Sequence, residues 1–292
     1  MANLKDLRNR IASVTSTQKI TKAMKMVSAS KLKRAQDAAE AARPYAERME
    51  NVLSSLASSM KGQTGGPSLL AGTGSDQKQL VVVATSERGL CGGFNTNIVK
   101  AAKAKINSLI EDGKDVTIIT IGKKGAGVLK REYSDKMIQH FDMSHVKNLA
   151  FDDASPIATR LIEMYKAGDF DVCTLFFAKF VNVLTQEVTP LQLIPASISD
   201  EGGADLGNAC YDYEPDENEI LEDLLPRNVG VQLFRALLEN AASEQGSRMT
   251  AMDNATRNAG EMIDDLRTTY NRSRQAVITN ELIEIISGAE AL

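Results

Sequence analysis

The residues best placed to do chemistry lie in SERGLCGGFNTN, residues 86–97. The stretch follows a strand-like apolar run and precedes a helical one, where a glycine-rich loop can cradle a phosphate on the first amides of a helix. Its glycines, however, read G-x-x-G-G and not G-x-G-x-x-G, and no G-K-[ST] follows. They fit a tight strand-to-helix turn. Cys91 sits where a helix N-terminus can lower a thiol pKa, and a buried structural cysteine is the simpler reading. Two histidines, His140 and His145, stand without H-E-x-x-H, C-x-x-C or G-x-S-x-G, so metal sites and acyl-transfer triads have no framework. The adjacent pairs Asp152, Asp153 and Asp264, Asp265 suit helix caps and solvated faces better than an acid/base pair. No catalytic residue, metal or cofactor is expected: on its own this chain is not an enzyme.

The elements around that loop alternate in the α/β manner. Gln79–Thr85, Asp115–Gly122, Met137–Phe141 and Asp171–Phe177 read as strands, with helical stretches near 95–112, 123–132 and 153–167 and a last strand at Leu184–Leu193. Such alternation predicts a mostly parallel sheet with right-handed crossovers. The flanks differ. No Gly or Pro precedes Pro44, so residues 3 to about 43 can form one helix capped by Asn3, about 60 Å long. Leu4, Leu7, Ile11 and Val14 open a coiled-coil seam that then decays into Ala, Ser, Thr and Met, and past Pro44 the pattern resumes through Met49, Val52, Leu53 and Leu56. The stretch GQTGGPSLLAGTGS reads as a flexible loop.

Beyond Pro226 a second helix runs from residue 228 to about 288, about 90 Å, and a strict heptad fits it from Leu238 to Ile283, with Met252, Ala255, Ala259, Met262, Leu266 and Thr269 on the seam. Gly246 and Gly260 inside it are expected to permit a close approach. Helices this long must pack on something, and each is the other's only match. The expected fold class is α/β: a long antiparallel two-helix coiled coil formed by the N- and C-terminal helices, plus a central Rossmann-like α/β domain. The boundaries drawn are 1–60 and 227–292 for the two helices, 76–196 for the α/β domain and 197–226 for an acidic connector.

At 43% hydrophobic and 25% charged residues, the 292-residue chain can build a sizeable core. No apolar run is long enough for a membrane helix, the N-terminus lacks a secretory h-region, and three scattered cysteines point to a reducing, cytosolic compartment. The net charge of −4 conceals two poles. Residues 1–34 hold nine basic residues against Asp6, and residues 200–226 hold ten acids and no base. Such asymmetry points to partners. Nucleic acid is a poor fit, since the basic helix has no aromatic interleaving before Tyr45 and no reader motif.

ITKAMKMVSASKLKRAQ (20–36), RPYAE (43–47), SERGLCGGFNTNI (86–98) and the block from Arg248 to Leu292 resemble the gamma subunits of F-type, proton-translocating ATP synthases, and the likeness spans the chain. The resemblance implies a non-catalytic central rotor shaft inside three alpha and three beta subunits, one copy per complex. It also implies a foot beside the epsilon subunit and the membrane c-ring, peripheral to the cytoplasmic face of the inner membrane. A helix turning in a sleeve should present small, non-interlocking side chains outward. By motif, Met24, Arg274 and Gln275 match shaft positions facing the beta subunits, with Lys25 adjacent. The acidic segment around YEPDE (213–217) lies where the family's foot meets its neighbours. Chloroplast members carry a regulatory dithiol in this region, whereas Cys210 stands alone, so that switch is expected to be absent. Gly246 and Ser247 depart from the Ala-rich pattern usual there.

Overall fold

The computed structural model describes residues 3–59, 68–196 and 217–290; the YEPDE residues before Glu217, and Cys210, lie outside them. In chain order the elements are α1 (Leu4–Ser59), α2 (Ser68–Ala71), β1 (Lys78–Ala84), α3 (Phe94–Glu111), β2 (Asp115–Ile121), α4 (Lys123–Tyr133), β3 (Met137–Phe141), α5 (Phe151–Lys166), β4 (Val172–Phe180), β5 (Gln186–Ile194) and α6 (Glu217–Glu290). They fall into two compact units, Met1–Ala29 with Arg248–Leu292, and Ser30–Ser247.

The larger unit is built on one sheet of order β3-β2-β1-β4-β5. β1 pairs in parallel with β2 and β4, β2 with β3, and only β5 runs antiparallel, against β4. Because β1 is central, LVVVA is buried on both faces, and alternate side chains enter different cores. Val81 and Val83 join Ile98, Ile106 and Leu129 from α3 and α4. Leu80, Val82 and Ala84 join Leu161 of α5, Leu225 and Leu233 of α6, and Met49 and Leu53 of α1. Helices thus cover both faces, as right-handed crossovers running in opposite directions along the sheet, β1 to β2 to β3 and then β3 to β4, require. Gly122 is obligatory where β2 turns into α4: its φ is +88°, and a Cβ there would overlap the Thr85 carbonyl.

Asn3 caps α1 as expected, its Oδ1 accepting the Lys5 N–H at 3.0 Å. Asp153 accepts the Ala150 N–H at 2.9 Å at the start of α5. Pro44 lies inside α1, within the bounds drawn for that helix. Other expectations change. Pro226 also lies inside a continuous helix. A proline removes one helical hydrogen bond, and the buried Leu225 and Val229 pin the backbone on either side of Pro226. The second helix therefore begins at Glu217, inside the stretch read as connector. Within the stretch read as loop, Ser68–Ala71 form a helical turn that buries Leu69.

The smaller unit is a pair of antiparallel helices. Arg8 meets Tyr270, Gln18 and Thr21 meet Thr256, and Lys25 meets Asp253, so partners fall in number along α6 as they rise along α1. The α1 seam does not decay after Val14: Gln18, Thr21, Lys25 and Ser28 hold the same 3-4 positions, buried or half-buried. On α6 one half of the expected heptad is displaced by a residue. Met252, Ala259 and Leu266 face inward as expected, but Met262 is 51% exposed while Ile263 is 5% exposed. Thr269 gives way to Tyr270 in the same manner. Both stripes satisfy a seven-residue repeat, and the side chains opposite decide between them.

Candidate functional site

Open α/β sheets bind ligands beyond the carboxyl ends of their strands, at the switch point in strand order. Here that point lies between β1 and β4, and residues 86–97 border it. The loop is closed by its own groups: Asn95 Oδ1 accepts the Ser86 N–H at 3.0 Å, and Asn95 Nδ2 reaches Ser86 Oγ at 2.8 Å and Cys91 Sγ at 3.2 Å. Gly93 starts α3 with no side-chain cap. Cys91 is buried in this cage, as the structural reading expected. The geometry is that of a tight turn.

α6 reaches into the same crevice. β1 pairs with β4 only as far as Phe176, so the last residues of β4 would show an unpaired edge on that side. α6 covers it. Asn240 Oδ1 accepts the Ala178 N–H at 3.0 Å, Ser243 Oγ donates to the Ala178 carbonyl at 2.9 Å, and Glu239 Oε2 accepts the Phe180 N–H at 3.0 Å. One and two turns on, Gly246 packs against Phe180, with room for a Cβ only at 3.2 Å from the ring, and Ser247 Oγ donates to the Cys91 carbonyl at 2.8 Å. The departure at Gly246 and Ser247 is thus a close approach plus a hydrogen bond. Glu239, only 4% exposed, also takes Arg43 of α1 on its other oxygen at 3.2 Å. A buried backbone group left without its partner costs about 1–3 kcal/mol, so this arrangement strongly favours one register of α6 on the sheet. Sequence reasoning noted Ser247 only as a departure from the family pattern and missed Glu239, Asn240 and Ser243. Their signal was present in ENAASEQGS: polar side chains at 239, 240, 243 and 247 share one helix face.

In the smaller unit the polar seam is equally specific. Thr256 Oγ1 donates to Thr21 Oγ1 at 2.7 Å, and Lys25 Nζ lies 2.6 Å from Asp253 Oδ1. Lys25, expected as a contact position beside Met24, is half-buried and paired within the chain. Met24 beside it is half-buried. Gln18, Lys19, Lys22, Met26 and Thr256 line a shallow groove with this ion pair. The outward face of α1 is not uniformly small: Ile20, Met26 and Val27 are exposed. Arg274 and Gln275 are exposed on α6. Since Arg8 already meets Tyr270, α1 has nearly run out by residue 274, and among the described residues α6 continues exposed beyond it. Val277, Ile278, Leu282, Ile283, Ile285 and Ile286 are 37–71% exposed there. A contiguous apolar surface of this kind marks an interaction site.

A family model described as ATP synthase matches residues 3–292. The ATP synthase gamma chain of Rhizorhabdus wittichii is 64% identical over 294 residues, and that of Parvibaculum lavamentivorans 61% over 294 residues, each alignment covering all of both chains. The chain belongs to the ATP synthase gamma family. Among solved structures it is similar to a chain of the Tetrahymena thermophila mitochondrial ATP synthase central stalk and c-ring. That match has a TM-score of 0.60 at 26% identity over 81% of this chain and 99% of that one. A chain of the Euglena gracilis mitochondrial ATP synthase shares the fold, with a TM-score of 0.68 at 19% identity over 99% of this chain and 94% of that one. Among the described residues, no cluster of His, Cys, Asp or Glu could hold a metal, and no helix is long and apolar enough to cross a membrane.

Proposed function

We propose that this chain is the central rotor shaft of an F-type ATP synthase, itself non-catalytic. Its rotation couples transmembrane proton flow to ATP synthesis or hydrolysis at sites on the beta subunits. One copy turns within three alpha and three beta subunits, with the epsilon subunit and the membrane c-ring as its other partners, at the cytoplasmic face of the inner membrane. The observation that carries the reading is the exposed C-terminal end of α6 in a chain of this family: a helix with six exposed large aliphatic residues needs a sleeve.

The mechanism is allosteric in the strict sense. A single asymmetric helix pair presents a different surface to each of three identical subunits, and rotor angle biases the state each one prefers. Arg274 and Gln275 are exposed past the end of α1, where they can meet a beta subunit. Met24 offers a half-buried flank of the seam, and Lys25 acts from within its ion pair with Asp253. Affinity purification of the tagged chain from native membranes in mild detergent tests the reading. Two larger nucleotide-binding subunits at three copies each, with ATPase activity, are expected. Recovery of the chain alone, or with nucleic acid, overturns it.

A further inference from the structure

We infer that Glu239, Asn240, Ser243 and Ser247 form a register lock that holds α6 against sliding and rotation on the sheet, making them positioning residues for coupling; the inference rests on the rotor reading. The apolar contacts between α6 and the sheet, through Leu225, Val229 and Leu233, are non-directional and tolerate small shifts. The polar contacts do not. A slip of one residue moves the helix by about 1.5 Å and turns its face by about 100°. That would break bonds of 2.8–3.0 Å to Ala178, Phe180 and Cys91 together.

The acceptors and donors lost would stay buried. Ser243 is 0% exposed and Glu239 4%. Glu239 is the junction of three elements, since its two oxygens take Arg43 of α1 and the Phe180 N–H at the end of β4. One carboxylate therefore ties both terminal helices to the sheet. α6 continues past Ser247 to Glu290 without a break. Torque entering through the sheet domain leaves along this helix and along α1, which is equally continuous, and the lock is where directional bonds hold α6 against it.

The test uses the assembled complex in sealed vesicles, with ATP hydrolysis and proton pumping read together, with and without an opposing proton gradient. Glu239→Ala is expected to lower protons pumped per ATP several-fold against the gradient. Hydrolysis without the gradient should stay within about twofold, and the amount of this chain per complex should be normal. Glu239→Gln, which keeps an acceptor for Phe180, should recover most of the ratio. Ser247→Ala, a milder change, should show the same gradient-dependent loss to a smaller degree, including where Glu239→Ala prevents assembly. An unchanged ratio in assembled complexes overturns the lock, as does a loss equally large without the gradient or no recovery in Glu239→Gln. If the unaltered chain assembles with no alpha or beta subunits, the rotor reading itself has failed, which is a separable outcome.

Discussion

One helix, α6, lives under two regimes. Between Leu221 and Ser247 it is buried on most of its circumference, sharing an apolar core with the sheet and donating polar side chains to backbone edges. From Arg248 onward it shows a single narrow stripe to α1, and after Ser273 none at all. The first regime fixes a helix in place. The second leaves a surface free to meet other chains, and a helix that must be gripped at one end and turn at the other needs both.

Substitutions can break that comparison at either end. The largest loss is expected for Leu233→Ala, at a site with 0% exposure, where the missing contacts and the cavity should cost about 2–5 kcal/mol in urea unfolding of the full chain. Next, Ile263→Ala should lower amide-exchange protection in residues 4–29 and 248–273 by about 2 kcal/mol, whereas Met262→Ala should change it by less than about 0.5 kcal/mol. Equal effects would return the seam to the register expected from the sequence. Changing Arg274 and Gln275 together to Ala should leave unfolding within about 0.5 kcal/mol while weakening proton-driven ATP synthesis or assembly. Unchanged synthesis would remove them from the contact surface. The smallest effect separates the two glycines. Gly260→Ala, which meets only the flexible Gln18 side chain, should stabilise by about 0.5–1 kcal/mol. Gly246→Ala should lose that gain against the Phe180 ring, and thermal unfolding of the two variants compares them.

Much of the fold was legible because it is periodic and local. QLVVVAT and DVTIITIG are apolar over a strand's length, as buried parallel strands must be. Asn3 and Asp153 cap helices because short polar side chains satisfy the first free amides. The polar half of the α1 seam was illegible for the opposite reason. Gln18, Thr21 and Lys25 are suitable seam residues only because Thr256 and Asp253 stand opposite. A hydropathy pattern records one side of such a pair.

Residue type and near spacing were enough to place the strands, the body of each long helix and the family resemblance, but not the start of α6 at Glu217 or the turn at Ser68–Ala71. Packing in three dimensions settled which stripe of α6 meets α1, where α1 runs out and leaves the end of α6 exposed, and how ENAASEQGS holds α6 to β4. Each of these is a relation between residues some 60 to 270 positions apart, set by packing and hydrogen-bond geometry that no local pattern encodes.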